Sequence, residues 1–198
     1  MKTLIVKTNM KTINILIFAV LALVFTACNS ATKEQTMEEK LAVYNKSKID
    51  LLEGATPAEF SVKTTDGSSF NSKENKGKYW VLFVYDSGSI PKTETYDLAA
   101  ELNKTHQLFG DKIPMVGLIN GFSDDEPALQ KLIAAAKFSF KQIDNTEGPN
   151  KEKPLNDNVF CTPAKILIDP NGKVIYNGCG GKTKTFDDKL DSLVKAAL

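Results

Sequence analysis

Two uninterrupted apolar runs with one amphipathic segment between them limit the fold of this chain more than any other feature. The first run, YWVLFVY, spans residues 79–85, and the second, IPMVGLI, spans residues 113–119. Apolar runs of this length are typical of strands buried on both faces of a sheet. Between them, residues 94–109 carry apolar side chains at helical spacing and stop at Gly110, which favours a helix end. This order predicts a parallel strand pair joined by a right-handed crossover helix.

Two further segments have the pattern of β-hairpins. AEFSVKTTDGSSF alternates apolar and polar residues on both sides of the turn dipeptide Asp66-Gly67. Near the C-terminus, the apolar stretches AKILI and KVIYN flank the turn sequence DPNG at residues 169–172. The second hairpin adds antiparallel strands to the parallel pair, so the sequence predicts a mixed sheet.

Two polar patterns predict where further helices begin. Ser123 and Glu126 form a capping-box pattern before an apolar-periodic segment, and Thr185 and Asp188 precede another such segment at the C-terminus. The predicted fold class is therefore α/β, with a central mixed sheet flanked by helices and an N-terminal hairpin, over residues 54–198.

The N-terminus has the pattern of an export signal. Lysines precede ILIFAVLALVFTA, an uncharged run over residues 15–27 that is shorter than the roughly 20 residues needed to span a bilayer. The sequence VFTAC that ends this region resembles a bacterial lipobox, which implies cleavage after residue 27 and lipid attachment at Cys28. The alternative is an incidental cysteine beside an ordinary cleavage site. Met10 is a second candidate start residue.

The next segment predicts a tether. Residues 28–53 begin with a polar stretch, and Gln35–Glu53 carries apolar residues that are compatible with a helix leading into the domain. We therefore divide the chain into a lipoprotein signal peptide at 1–27, this tether at 28–53, and one folded domain at 54–198.

The charge composition argues against nucleic acid as a partner. All 25 basic residues are lysines, so the chain has no guanidinium group for bidentate contacts with phosphate or guanine. Removing residues 1–27 leaves 22 basic and 24 acidic residues. The predicted mature protein is therefore mildly acidic and has no strong field to steer a ligand.

Three segments, in this order, resemble the extracytoplasmic thioredoxin-like family of thiol-disulfide oxidoreductases and their peroxiredoxin relatives. They are GATPAEFSVKTTDGSSF, NKGKYWVLFVY and CTPAKILIDPNGKVIY. The resemblance covers residues 54–198 and implies a thioredoxin-like fold. It also implies that Thr162 and Pro163 match the family's residue pair at a cis peptide bond, which lies against the active-site turn.

The active-site turn departs from the family pattern because it has no sulfur. Where the family has Cys-x-x-Cys, this chain has Gly88, Ser89, Ile90 and Pro91. A serine hydroxyl is far harder to ionise than a thiol and forms no disulfide. Ser89 fits instead the N-cap of the following helix, with Pro91 in its first turn. With Ser87, Thr162 and Pro163, these residues form the predicted binding groove.

Cys161 and Cys179 are the candidate redox residues outside the turn. A hairpin centred near Asn171 places Cys179 close to Thr162, within plausible reach of Cys161, and an exported protein meets oxidising conditions that pair such thiols. Three alternatives stay open: a structural disulfide, a displaced redox pair, and a free, partly buried Cys161.

The leading functional hypothesis is an exported, lipid-anchored thioredoxin-like module that binds a protein or peptide, or serves a structural role, without the usual redox centre. The rival is a thiol-disulfide oxidoreductase that uses Cys161 and Cys179. No cofactor is expected, and no metal site is expected because His106 is the only histidine. The predicted location is the cell envelope, with the membrane contacted through the lipid on Cys28.

Overall fold

The computed structural model describes residues 36–39, 41, 48–149, 151, 155–180 and 183–196. The chain divides into two compact units, residues 1–43 and 44–198. In the described part of the first unit, residues 37–39 and 41 are helical. Thr36 caps this helix: its hydroxyl accepts from Glu39 N at 3.2 Å, and its N–H donates to the Glu39 carboxylate at 2.9 Å.

The second unit contains the sheets and long helices. Its strands are β1 (Ile49–Asp50), β2 (Ser61–Lys63), β3 (Ser69–Asn71), β4 (Trp80–Asp86), β5 (Met115–Asn120), β6 (Lys141–Asp144), β7 (Asp157–Asn158), β8 (Ala164–Ile168) and β9 (Val174–Cys179). Its α-helices are α1 (Leu98–Phe109), α2 (Glu126–Ala136) and α3 (Thr183–Ala196). Short 3-10 turns occupy Ser72–Asn75 and Ser87–Ser89.

The central sheet has the strand order β6-β5-β4-β8-β9. β4, β5 and β6 are parallel, whereas β8 is antiparallel to both β4 and β9. This arrangement confirms the predicted α/β class, the mixed sheet, the crossover between the two apolar runs and both hairpins. β2 and β3 pair as the N-terminal hairpin, and β1 pairs with β7 in a separate two-stranded ladder.

The two faces of the central sheet are covered by different elements. One core cluster joins the inward side chains of β4 and β5 to residues of all three helices, including Leu102, Ile133 and Phe186. The other cluster joins the opposite face to the N-terminal segment, including Leu51 and Phe60. Because β4 contributes to both clusters, its residues before Asp86 are all buried, which explains the uninterrupted apolar run.

Two polar contacts are buried near the helix-covered face. The Tyr85 hydroxyl donates to Gln142 Oε1 in the core. The Lys165 ammonium, on a side chain that is 6% exposed, contacts the Glu101 carboxylate and donates to the Thr183 hydroxyl. Such groups are stable inside a protein only when paired, so this second cluster fixes α1 and α3 against β8.

The helix starts differ from those predicted. α1 begins at Leu98, where the Asp97 carboxylate accepts from Ala100 N at 2.9 Å, instead of at residue 94. α2 is capped by Asp125, which accepts from Ala128 N at 2.9 Å, so the predicted capping box at Ser123 is wrong. Thr185 lies inside α3 and does not cap it.

The predicted helix over residues 35–53 is wrong at its C-terminal end. Ile49 and Asp50 form β1, and Leu51 is fully buried in the core. The folded unit therefore starts upstream of the predicted boundary at Gly54. The predicted signal peptide and Cys28 lie outside the described residues, and no described helix has the length and apolarity needed to cross a bilayer.

Candidate functional site

No α-helix begins at the turn that follows β4. Ser87–Ser89 form a 3-10 turn, Ile90 is buried and Pro91 is exposed. The predicted N-cap role of Ser89 is therefore wrong, because the α-helix starts at Leu98. The late start of the helix has a local cause: residues 93–96 form a separate turn, in which the Thr93 hydroxyl accepts from Tyr96 N at 3.0 Å. The turn thus lacks both a thiol and the helix field that lowers a thiol pKa.

The structure brings this turn together with the predicted proline segment. The peptide bond between Thr162 and Pro163 is cis, as the resemblance implied. The Thr162 hydroxyl donates to the carboxylate of Asp86, the residue directly before the turn. We call the surface formed by residues 87–91 and 162–163 the cis-proline face.

The backbone beside this face is unpaired. The ladder between β4 and β8 stops at Val84 and Ala164. Thr162, Cys161 and Phe160 precede this point, and their backbone N–H and C=O groups make no hydrogen bond to other described residues. These groups form a short free edge that can pair with another extended chain.

Two carboxylates lie at the inner end of the cis-proline face. Asp86 pairs across the ladder with Asn120, and Asn120 Nδ2 donates to Asp157 Oδ2 at 2.9 Å. Burial raises the pKa of Asp157, and the nearby charge of Asp86 raises it further, against the lowering effect of the Asn120 hydrogen bond. Within the described part of the chain, neither carboxylate has a lysine within ion-pair distance. This end of the face is therefore negative and not neutralised by the described residues.

Two exposed aromatic residues flank the same region. Phe122 is 65% exposed and follows Gly121, whose backbone packs against the Ser87 side chain. Phe160 is 77% exposed and lies two residues before Thr162. Exposed side chains of this size can supply apolar contact area to a bound molecule.

Cys161 and Cys179 form a disulfide beside the cis peptide bond. Their Cα atoms are 5.7 Å apart. Cys179 ends β9 opposite Ala164, and Cys161 packs against the core face that contains Ala164. The alternative of a free Cys161 is therefore wrong. The predicted register is shifted as well: Cys179 lies opposite Ala164 instead of Thr162, and the ladder contains a bulge between Leu167 and Ile168.

The other candidate chemistry lies elsewhere. His106, in α1, shares a hydrogen bond with the Ser139 hydroxyl at 2.9 Å, and burial lowers its pKa while Asp111 opposes the shift. No group of three His, Cys, Asp or Glu side chains among the described residues could hold a metal ion. A cleft of about 1320 Å³ elsewhere among the described residues contains no residue of the cis-proline face. Its Lys151 already pairs with Glu126 at 2.7 Å and Asp144 at 2.6 Å.

Sequence reasoning missed the polar residues of this site. Asp86 and Asn120 are the last residues of two parallel strands, and that position at the carboxyl edge of the sheet could have identified them. Asp157 had no such signal, because β7 follows a long connection whose path the sequence does not reveal.

Solved structures of several thiol-disulfide oxidoreductases and interchange proteins resemble this chain in fold. The thioredoxin domain of a thiol-disulfide oxidoreductase from Bacteroides vulgatus is 18% identical with a TM-score of 0.51, over 71% of this chain and 99% of that chain. A thiol-disulfide oxidoreductase from Bacteroides fragilis is 23% identical with a TM-score of 0.51, over 70% and 98%. A thioredoxin-family thiol:disulfide interchange protein from Chlorobium tepidum is 16% identical with a TM-score of 0.50, over 68% and 92%.

No family model matches the sequence, and no curated protein matches it. The structural likeness shows a thioredoxin-like fold, in agreement with the resemblance found in the sequence.

Proposed function

We propose that this protein is a thioredoxin-fold binding module that accepts an extended peptide at the cis-proline face and performs no thiol-disulfide exchange there. The observation that carries this proposal is the sulfur-free turn at Gly88–Pro91, which follows Asp86, the residue that accepts the Thr162 hydroxyl bond beside cis Pro163. The scaffold that presents a substrate is retained, whereas the group that would react with it is missing.

The free backbone edge supports binding of an extended segment. An incoming chain can form main-chain hydrogen bonds with Thr162 and its neighbours, in the way that a peptide adds a strand to a sheet edge. The exposed rings of Phe122 and Phe160 offer apolar contact, because Phe122 follows Gly121 beside Ser87 and Phe160 lies two residues before Thr162. Affinity then comes from the backbone and the aromatic contacts, and it needs no covalent step.

The charge of the face favours one class of peptide. Asp86 and Asp157 form a negative end that the described residues do not neutralise. A lysine or arginine in the peptide would supply the missing cation. The proposed occupant is therefore an extended peptide segment that carries a basic residue.

A blocking variant tests this proposal. A Cβ atom added at Gly88 would meet no other atom within 4 Å, so a side chain introduced there begins in open space. Peptides would be selected from a random display library on full-length protein in detergent micelles. We expect enrichment of basic residues, and a loss of affinity of at least about tenfold in Gly88→Trp, equivalent to about 1.4 kcal/mol.

The matched control is Lys112→Trp, because Lys112 is exposed and precedes β5 at the opposite edge of the sheet. It should bind the selected peptides like the wild type. Equal binding by both tryptophan variants, or failure to select any peptide, would contradict the proposal.

The rival function is thiol-disulfide exchange by Cys161 and Cys179. It is favoured by the position of their disulfide, two residues before Pro163. Against it, Cys161 lies in a loop and Cys179 ends a strand, so neither lies at the N-terminus of a described helix. The neighbouring Lys165, which lies opposite Gly178 in the ladder, is already paired with Glu101. Features of these kinds lower a thiol pKa in exchange enzymes.

We also propose that the protein is exported and anchored by lipid on Cys28, on the strength of the VFTAC sequence after the apolar run. Cells producing the full chain would be labelled with a fatty-acid analogue. Label and membrane association should be lost in Cys28→Ala and kept in Cys161→Ser. Retention of the label by Cys28→Ala would exclude this anchor.

A further inference from the structure

Residues 159–163 form a bridge between two well-anchored parts of the fold. On the upstream side, β7 pairs with β1, and Leu51 N donates to the Asn158 carbonyl at 2.9 Å. On the downstream side, β8 lies between two strands of the central sheet. The bridge supplies the free backbone edge of the cis-proline face, so its position decides whether that edge is presented.

Few contacts hold the bridge itself. Its backbone makes one hydrogen bond with described residues, in which Gly180 N donates to the Pro163 carbonyl at 2.9 Å. The Thr162 hydroxyl bonds to Asp86, and Val159 is only partly buried. The remaining restraint is the disulfide, which ties Cys161 to the end of β9. A segment with so few hydrogen bonds opens locally at low free-energy cost once its covalent tie is removed.

We propose that the Cys161–Cys179 disulfide is a reversible lock on residues 159–163, and that its reduction by a dithiol releases this segment from Asp86 and from the edge of the core. In this step the S–S bond accepts two electrons and two protons and becomes two thiols, while the dithiol becomes a disulfide. The role of the lock in ligand binding rests on the proposed function; the release itself does not.

Access to the disulfide is consistent with such a lock. Both cysteines are half-buried, and each adjoins an exposed residue, Phe160 on one side and Gly180 on the other. A reducing thiolate must reach one sulfur atom directly. Once reduced, Cys161 keeps only its packing against the core edge, so residues 159–162 can move away from Asp86.

Limited proteolysis of the full-length protein tests the lock with an internal control. Chymotrypsin cleaves after aromatic residues when the local backbone can open, and the structure exposes Phe160 in the bridge and Phe122 outside it. Mass spectrometry would identify the cut bonds before and after treatment with dithiothreitol. We expect cleavage after Phe160 to accelerate by about tenfold or more on reduction, with cleavage after Phe122 unchanged.

The double variant Cys161→Ser/Cys179→Ser should behave like the reduced wild type without dithiothreitol. An unchanged rate after Phe160 would overturn the lock. Acceleration at Phe160 and Phe122 together would also overturn it, because it would show that the whole domain opens. The experiment uses no peptide ligand, so its failure is distinct from a failure of the proposed binding function.

Discussion

Replacement of Lys165 by methionine is expected to lower the free energy of unfolding by about 3–5 kcal/mol, the cost of breaking a buried ion pair. The Lys165 side chain is 6% exposed and the Glu101 side chain 19%, so both charges lie largely out of water. Without the ammonium, Glu101 keeps the hydroxyls of Thr183 and Tyr96 as donors but has no cation beside it. The cost arises mainly from the carboxylate that stays buried without a cation.

Urea unfolding of single and double variants separates this cost from ordinary packing. Lys165→Met/Glu101→Met replaces both charges with apolar side chains and should recover most of the lost stability. A loss below about 1 kcal/mol in the single variant would show that the pair is not buried as the structure has it.

The same pair should make stability depend on pH. Burial of Glu101 acts to raise its pKa, but the hydrogen bonds from Lys165 and Thr183 outweigh this and lower it overall. A carboxyl whose pKa is lower in the folded state stabilises the fold above the ordinary pKa of glutamate. That contribution is lost as the pH falls through the lowered value, and the loss should be absent in the double variant.

The second large effect is expected from the disulfide. Cys161→Ser/Cys179→Ser should lose about 3 kcal/mol of stability, since the bond closes a loop between residues 18 apart in sequence. For a domain of this size, the melting temperature should fall by about 6–12 °C. Wild-type protein in dithiothreitol should melt at nearly the same temperature as the variant. A melting temperature unchanged in both would show that the crosslink does not restrain the unfolded chain.

Much of the fold follows from local patterns in the sequence. The runs at 79–85 and 113–119 are apolar because both faces of β4 and β5 are covered, so their strands could be predicted within two residues. The first residues of the helices were harder to predict, because several polar residues near each start are suitable N-caps. In the structure the N-caps are the carboxylates of Asp97 and Asp125. Tertiary pairing overrode the helical pattern at Ile49, whose partner Asp157 is over a hundred residues away in sequence.

Only part of the candidate site could be predicted from the sequence. The closeness of Cys161 to Cys179 was predictable because a short hairpin relates the two positions, whereas the cis peptide bond at Pro163 was implied by the family resemblance. The bulge beside Ile168 was not, since one extra residue in a strand leaves no clear sequence signal. The placement of Asp157 beside Asp86 depends on a long connection and needed coordinates.

The central claim is that a thioredoxin-like fold with a sulfur-free turn binds a chain and does not exchange disulfides with it. Reduction of insulin by dithiothreitol, followed by turbidity, tests this claim most directly. With the full-length protein added, the rate should equal that with dithiothreitol alone and that with the Cys161→Ser/Cys179→Ser variant. A clear acceleration by the wild type that disappears in Cys161→Ser would contradict the claim and establish exchange at Cys161.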